Sequence, residues 1–140
     1  RKYSIPSSFY QQLKAGEDYI SKDGMVIKNE WLTLPVAPGE SYAYCADTVY
    51  DERISVKCKD VDLLYHEATY LDDQSEKAAG RMHSTSKQAA AIALKANAGK
   101  LLIGHFSSRY ETLDEFITEA QSVFSNTDLA IEGVTYIIHK

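Results

Sequence analysis

The chain has 140 residues, 44% apolar and 25% charged, with a formal net charge of −5. This is the composition of an ordinary globular protein with one core's worth of chain, and the acidic balance argues against a generally basic nucleic-acid-binding surface while leaving room for a local basic patch. The longest apolar runs, such as Leu101-Leu102-Ile103, fall far short of the roughly 20 residues of a membrane span. The chain opens on Arg1-Lys2 without an initiator Met, so the lack of a visible targeting segment carries no weight.

In chain order, a short helix is expected over Ser7 to Leu13, entered after Pro6. Tyr19 to Ile27 reads as a hairpin, because Asp23-Gly24 interrupts two β-prone runs. Residues 30–40, with Pro35, Pro38 and Gly39, read as an irregular connection. Three short, non-alternating apolar runs follow: Ser41 to Ala46, Val61 to Tyr65 and Lys100 to Gly104. Such runs suit strands buried on both faces, as in α/β sheets. Thr85 to Ala98 is expected to be a helix opened by the capping box Thr85-x-x-Gln88, with Ala89, Ile92, Ala93 and Ala96 on one face. Thr112-x-x-Glu115 is read as a second capping box, followed by Phe116, Ile117, Ala120 and Phe124 at helical spacing. A last strand is expected over Val134 to Ile138. No repeat or linker divides the chain, which reads as a single domain over residues 1–140. Neither Cys45 nor Cys58 belongs to a C-x-x-C pair; Cys45 reads as a buried free thiol, and a reducing, cytoplasmic compartment is expected.

The three buried strands each deliver polar residues at one end: Asp47 after the first, His66 with Glu67 after the second, and His105 after the third. His83 sits just before a helix N-cap. Ligands gather at the carboxyl edge of open α/β sheets, and carboxylate with imidazole is a donor set suited to zinc and similar metals. Each residue also has a plain structural reading. Asp47 can accept backbone N–H groups in a turn, a lone His66 reads better as a core histidine bonded to a carbonyl, His83 can be a loop residue, and Arg109 with Tyr110 can be surface packing. There is no H-x-H pair and no H-E-x-x-H.

The ordered strings carry more. Tyr44-Cys45-Ala46-Asp47-Thr48, His66-Glu67-Ala68-Thr69, His83-Ser84-Thr85 and Gly104-His105-Phe106-Ser107-Ser108-Arg109-Tyr110 together resemble the second half of ribonuclease Z, with its "GDT", "HEAT", "HST" and "GHFSSRY"-like motifs. Lys14-x-Gly16-x-Asp18 and the later Asp23-Gly24 also resemble the family's upstream hairpin. The resemblance implies an α/β fold that is half of a metallo-β-lactamase αββα sandwich, a mixed sheet with helices on one face. It implies a zinc-dependent endoribonuclease that removes the 3′ trailer from precursor tRNA. By the same resemblance Asp47 bridges two Zn2+ ions, His105 is a terminal ligand of one, His83 assists catalysis by giving a proton to the departing ribose 3′ oxygen, and Glu67 orients His83 or a neighbouring group. His66 and Thr69 support the metal site from behind, and Ser107, Ser108 and Arg109 contact substrate phosphate. Arg81, Lys87 and Arg53 are further candidates for tRNA contact, although a solvated face suits Lys87 and Arg53 better.

Two departures from the family pattern matter. Ala46 stands where the family has Gly before the bridging carboxylate. The family's H-x-H-x-D-H motif, which supplies most metal ligands and the general base, belongs to an N-terminal half not found in this sequence. The 140-residue chain alone is therefore expected to be inactive, to bind metal weakly if at all, and to expose an apolar sheet face. The resemblance further implies a homodimer and no membrane association. The competing readings are another metallo-β-lactamase-fold phosphodiesterase or hydrolase acting on a small substrate, and a non-enzymatic α/β binding module in which Asp47 and His105 are structural.

Overall fold

The computed structural model describes residues 3–35 and 39–138. Where the sequence reads as one domain, the chain packs as two compact units, Arg1–Gly39 and Glu40–Lys140. Part of the expected irregular connection, residues 36–38 with Pro38, lies outside the described residues.

The first unit opens with a 3-10 turn, Ser7–Phe9, running into helix α1 (Tyr10–Lys14), as expected for that stretch. A two-stranded antiparallel hairpin of β1 (Tyr19–Ile20) and β2 (Val26–Ile27) follows. Gly24 takes φ +80° in the turn, a conformation that favours glycine and that the Asp23-Gly24 pair anticipates. Asn29 ties the unit together, donating from Nδ2 to the carbonyls of Leu13 (2.7 Å) and Glu17 (2.9 Å).

The second unit is built on a four-stranded sheet in the order β3 (Tyr42–Cys45), β4 (Leu63–Glu67), β5 (Lys100–Gly104), β6 (Thr127–Leu129), with every neighbouring pair parallel. This sheet is thus parallel throughout and not mixed as expected, and the antiparallel pair forms a sheet of its own. Parallel neighbours need crossovers. These contain α2 (Arg53–Lys57) between β3 and β4, α3 (Ser75–Gly80) and α4 (Ser86–Ala96) between β4 and β5, and α5 (Asp114–Val123) between β5 and β6.

Helix α4 forms as its sequence dictates. Thr85 caps it, accepting from the backbone N–H of Gln88, whose side chain reaches back to the backbone N–H of Thr85. Such a cap contributes about 1 kcal/mol. Asn97, at φ +52°, ends the helix. Ala89, Ile92, Ala93 and Ala96 are fully buried, and small alanines let α4 lie close to the sheet. Ala89, Ile92 and Ala93 join Phe116 and Ala120 of α5 around Leu64, Leu101 and Ile103, so one sheet face and these two helices form the core. By strand alternation Tyr42, Tyr44 and Tyr65 fall on the other face, where Tyr44 stacks on Tyr65 at 4.6 Å and remains 65% exposed.

Three details depart from the sequence reading. The strand over the second apolar run extends through His66 and Glu67 and does not stop before them. The capping box at Thr112 does not form: the N-cap of α5 is Leu113, without a side-chain bond, and Asp114 and Glu115 instead place acidic groups in the positively polarised first turn. The last strand is Thr127–Leu129, not Val134 to Ile138. After β6 the chain turns back through Gly133, and the Tyr136 hydroxyl donates to Leu129 O (2.6 Å) and accepts from Ile131 N (3.0 Å), satisfying backbone groups that a further strand would otherwise pair.

Gly104 ends β5 under the ring of Tyr65. A Cβ there would lie 2.5 Å from Tyr65 Oη and 2.9 Å from two ring carbons. Gly104→Ala is expected to destabilise the fold by about 1–3 kcal/mol through overpacking. A denaturant midpoint for this variant equal to that of the unsubstituted protein would show that Tyr65 yields without cost.

Candidate metal and catalytic site

The parallel strands deliver their carboxyl ends to one edge, and four side chains meet there. Asp47, Glu67, His83 and His105 each offer a ligand-type atom, and these atoms lie within 4.8 Å of one another. Asp47 follows β3, Glu67 is the last residue of β4, His105 follows β5, and His83 precedes the N-cap of α4. Asp47 (φ +50°) and His105 (φ +59°) both leave their strands through the left-handed region. Non-glycine residues reach that region at a cost of order 1–3 kcal/mol, and such positions cluster at functional sites.

Glu67 is the anchor. It is fully buried, and both carboxylate oxygens are engaged. Oε1 accepts from Thr48 N (2.5 Å), and Oε2 accepts from Thr69 Oγ1 (2.6 Å) and Ser84 N (3.2 Å). His83 Nδ1 lies 3.0 Å from Oε2 and 3.1 Å from Oε1. Burial alone would push the Glu67 carboxyl up, but the hydrogen bonds from Thr69, His83, Ser84 and Thr48 outweigh it and hold the group below the usual carboxylate range. Glu67 is therefore an ionised acceptor, and His83 Nδ1 must be the donor of their bond.

The same logic fixes His105. The single hydroxyl proton of Thr69 goes to Glu67, so Thr69 Oγ1 accepts from His105 Nδ1 at 2.9 Å. The other ring nitrogen, Nε2, stands 3.2 Å from Asp47 Oδ1. A carboxylate oxygen and an imidazole nitrogen at that distance are ligand-type atoms that can share one metal ion. Asp47 is 74% exposed and has no other hydrogen bond among the described residues, whereas the oxygens of Glu67 are occupied. Asp47 and His105 thus fit a metal, Glu67 fits the role of orienting His83, and two donors cannot by themselves complete a tetrahedral zinc site.

His66 follows its structural reading. It is fully buried on β4, its Nδ1 lies 2.8 Å from Glu67 O, and its Nε2 has no hydrogen-bond partner among the described residues. Burial pushes its pKa down, which keeps the ring neutral. Ser107 N donates to Thr69 O (3.1 Å), bringing that loop beside the cluster. Arg109 is not drawn into the cluster: its guanidinium stacks over the Tyr110 ring at 5.3 Å, and it lines a surface depression with Asp73, Glu111 and Glu115. Thr48 and Ser84 escape sequence reasoning. Their backbone N–H groups hold Glu67, and Ser84 Oγ donates to Thr48 O (2.7 Å), linking the loops after β3 and before α4.

No protein-family model matches the chain. Curated relatives do. The chain is 42% identical over 137 residues to a ribonuclease Z of Bacteroides thetaiotaomicron, covering 98% of this chain and 43% of the relative. It is 46% identical over 129 residues to a ribonuclease Z of Cytophaga hutchinsonii, covering 91% and 41%. The chain spans less than half the length of these relatives. Among solved structures, the metallo-beta-lactamase fold protein YhfI from Bacillus subtilis superposes with a TM-score of 0.64 at 30% identity, over 69% of this chain and 39% of that one. A long form RNase Z from yeast gives a TM-score of 0.53 at 30% identity, over 64% and 12%. Sequence, backbone and the order of the site residues agree that the chain matches the C-terminal portion of ribonuclease Z relatives and of the metallo-β-lactamase fold.

Proposed function

We propose that the complete protein carrying this sequence is a zinc-dependent endoribonuclease that cleaves precursor tRNA on the 3′ side, leaving a tRNA 3′-OH. The observation that carries this reading is the Glu67–Thr69–His83–His105 network, which sets His105 Nε2 beside Asp47 and orients a second histidine next to it. Asp47 and His105 hold metal, and the remaining ligands and the general base come from outside this chain. Bound zinc supplies Lewis-acid stabilisation of the charge that develops on a phosphodiester. His83, with Nδ1 donating to Glu67, has Nε2 to pass a proton to the ribose 3′ oxygen as the P–O3′ bond breaks and the attacking water oxygen joins phosphorus. Ser107, Ser108 and Arg109 sit on the loop after His105, and Arg109 can grip a phosphate bidentately once it leaves Tyr110. No helix among the described residues is long and apolar enough to cross a membrane. A cytoplasmic homodimer is part of the same proposal.

A second reading, hydrolysis of a small phosphodiester or ester at the same metal site, draws on the fold match to YhfI. The test compares a 3′-extended tRNA with bis-p-nitrophenyl phosphate, using the complete protein with its zinc stoichiometry measured in the same preparation. Cleavage of the tRNA at the trailer junction is expected. Cleavage of the small ester alone would replace the first reading with the second.

A further inference from the structure

We propose that Glu119 of α5 is a positioning residue for His83, acting as a latch that holds two site loops together from behind; this rests on the reading of His83 as the proton donor. A single carboxylate oxygen of Glu119, Oε2, accepts from the side chain of Ser86 and from the backbone N–H of Asp72 (3.0 Å). Ser86 is the first residue of α4 and is fully buried, and Asp72 lies on the loop that leaves β4. One atom on α5 therefore bonds to both loops.

Between the loops runs a single parallel bridge, Tyr70 with Thr85. Ser86 N donates to Tyr70 O (3.0 Å), and Tyr70 N donates to Ser84 O at a long 3.4 Å. Thr85 Oγ1 adds a bond to Asp72 Oδ1 (3.2 Å), and Lys87 lies 3.4 Å from Asp72 Oδ2. The residues beside this bridge are those of the network: Thr69 precedes Tyr70, and His83 and Ser84 precede Thr85. Two loops joined by so short a bridge open easily unless something outside clamps them. Removing the Glu119 carboxylate would leave a buried hydroxyl and a backbone N–H without their acceptor, and the loops can recover solvent bonds only by parting. Parting moves Ser84 N and His83 away from Glu67, which loosens the orientation of the proton donor, while Asp47 and His105 are carried by the loops after β3 and β5, outside the bridge.

The test uses the complete protein and four variants. Glu119→Ala is expected to lower kcat for tRNA cleavage about tenfold with KM within twofold and zinc content unchanged, and to speed hydrogen exchange at the Ser86 and Ser84 amides by at least tenfold. Glu119→Gln keeps an acceptor oxygen of the same reach and is expected to retain at least half of kcat and the slow exchange. Ser86→Ala removes one donor without touching α5 and gives the same exchange signature if Glu119→Ala does not fold. Glu115→Ala, on an exposed site of the same helix, is the control for helix perturbation. The exchange data do not depend on the substrate, so a protein that cleaves no tRNA would overturn the functional reading while fast exchange still upheld the latch. Unchanged exchange in both Glu119→Ala and Ser86→Ala, or Glu119→Gln as impaired as Glu119→Ala, would overturn the latch.

Discussion

Asp47→Asn in the complete protein is expected to strip bound zinc and to reduce tRNA cleavage about a thousandfold, the rate equivalent of losing several kcal/mol of charge stabilisation. Asn is the informative replacement. Asp47 sits at φ +50°, and Asn is one of the few residues that tolerates the left-handed region, whereas Ala there would add backbone strain to any loss of metal. Its side chain is largely exposed and its Oδ1 lies 3.2 Å from His105 Nε2, so the substitution removes a charge from the proposed metal position and little packing. The unfolding midpoint measured in the presence of a chelator should therefore stay close to that of the unsubstituted protein, and only the stabilisation conferred by metal should disappear. His105→Ala is expected to act in the same direction. Elemental analysis and a cleavage assay on one preparation decide the matter: zinc retained at full stoichiometry in both variants would return Asp47 and His105 to structural roles.

Much of this site was legible in the sequence because parallel strands end abruptly. Runs such as Lys100 to Gly104 are apolar up to their last residue, and the polar residue that follows has nowhere to go but the sheet edge. Asp47 and His105 stand out for that reason, and the helix after His83 announces itself by its capping box. Glu67 was legible as chemistry but not as placement. It belongs to β4 itself and is fully buried, a position that a strand pattern assigns to apolar residues, and it is tolerated only because four donors converge on it. Those donors include the backbone N–H groups of Thr48 and Ser84, which carry no signal in a residue list. The misplaced last strand has a similar origin. Thr127 to Leu129 is short and half polar, and pairs with β5 only because α5 returns the chain to that edge, whereas the more apolar Val134 to Ile138 finds no strand to pair with among the described residues. Arg109 marks the remaining gap: its type suits phosphate, but the sequence does not say that it rests on Tyr110 beside three carboxylates.

The sheet face opposite the helices bears on what this chain can do by itself. Tyr42 and Tyr44 are 53% and 65% exposed there, and the relatives this chain matches are more than twice its length. Exposed aromatic surface of this kind ordinarily meets another layer, which is consistent with a metal site that also needs ligands from elsewhere.

His83→Ala should separate proton donation from metal binding. The Nδ1 of His83 is held by Glu67 at 3.0 Å, and the residue makes no bond shorter than 4.0 Å to Asp47. Its removal is expected to lower kcat by about 10²–10⁴, the range for a general acid, with zinc content preserved. Glu67→Gln should reproduce part of that loss, because the neutral amide still accepts from Thr48 but no longer fixes the donor tautomer of His83. If the two act as one unit, the double variant will be no slower than His83→Ala alone, since once the donor is gone its orientation has nothing left to contribute. Substrates with a better leaving group than a ribose hydroxyl supply the sharper comparison: a trailer attached through a 3′ sulfur needs little protonation as it departs, so the His83→Ala deficit should shrink toward unity on it. A deficit of equal size on both substrates would mean that His83 positions the phosphate or the metal ligands and gives no proton to the leaving oxygen.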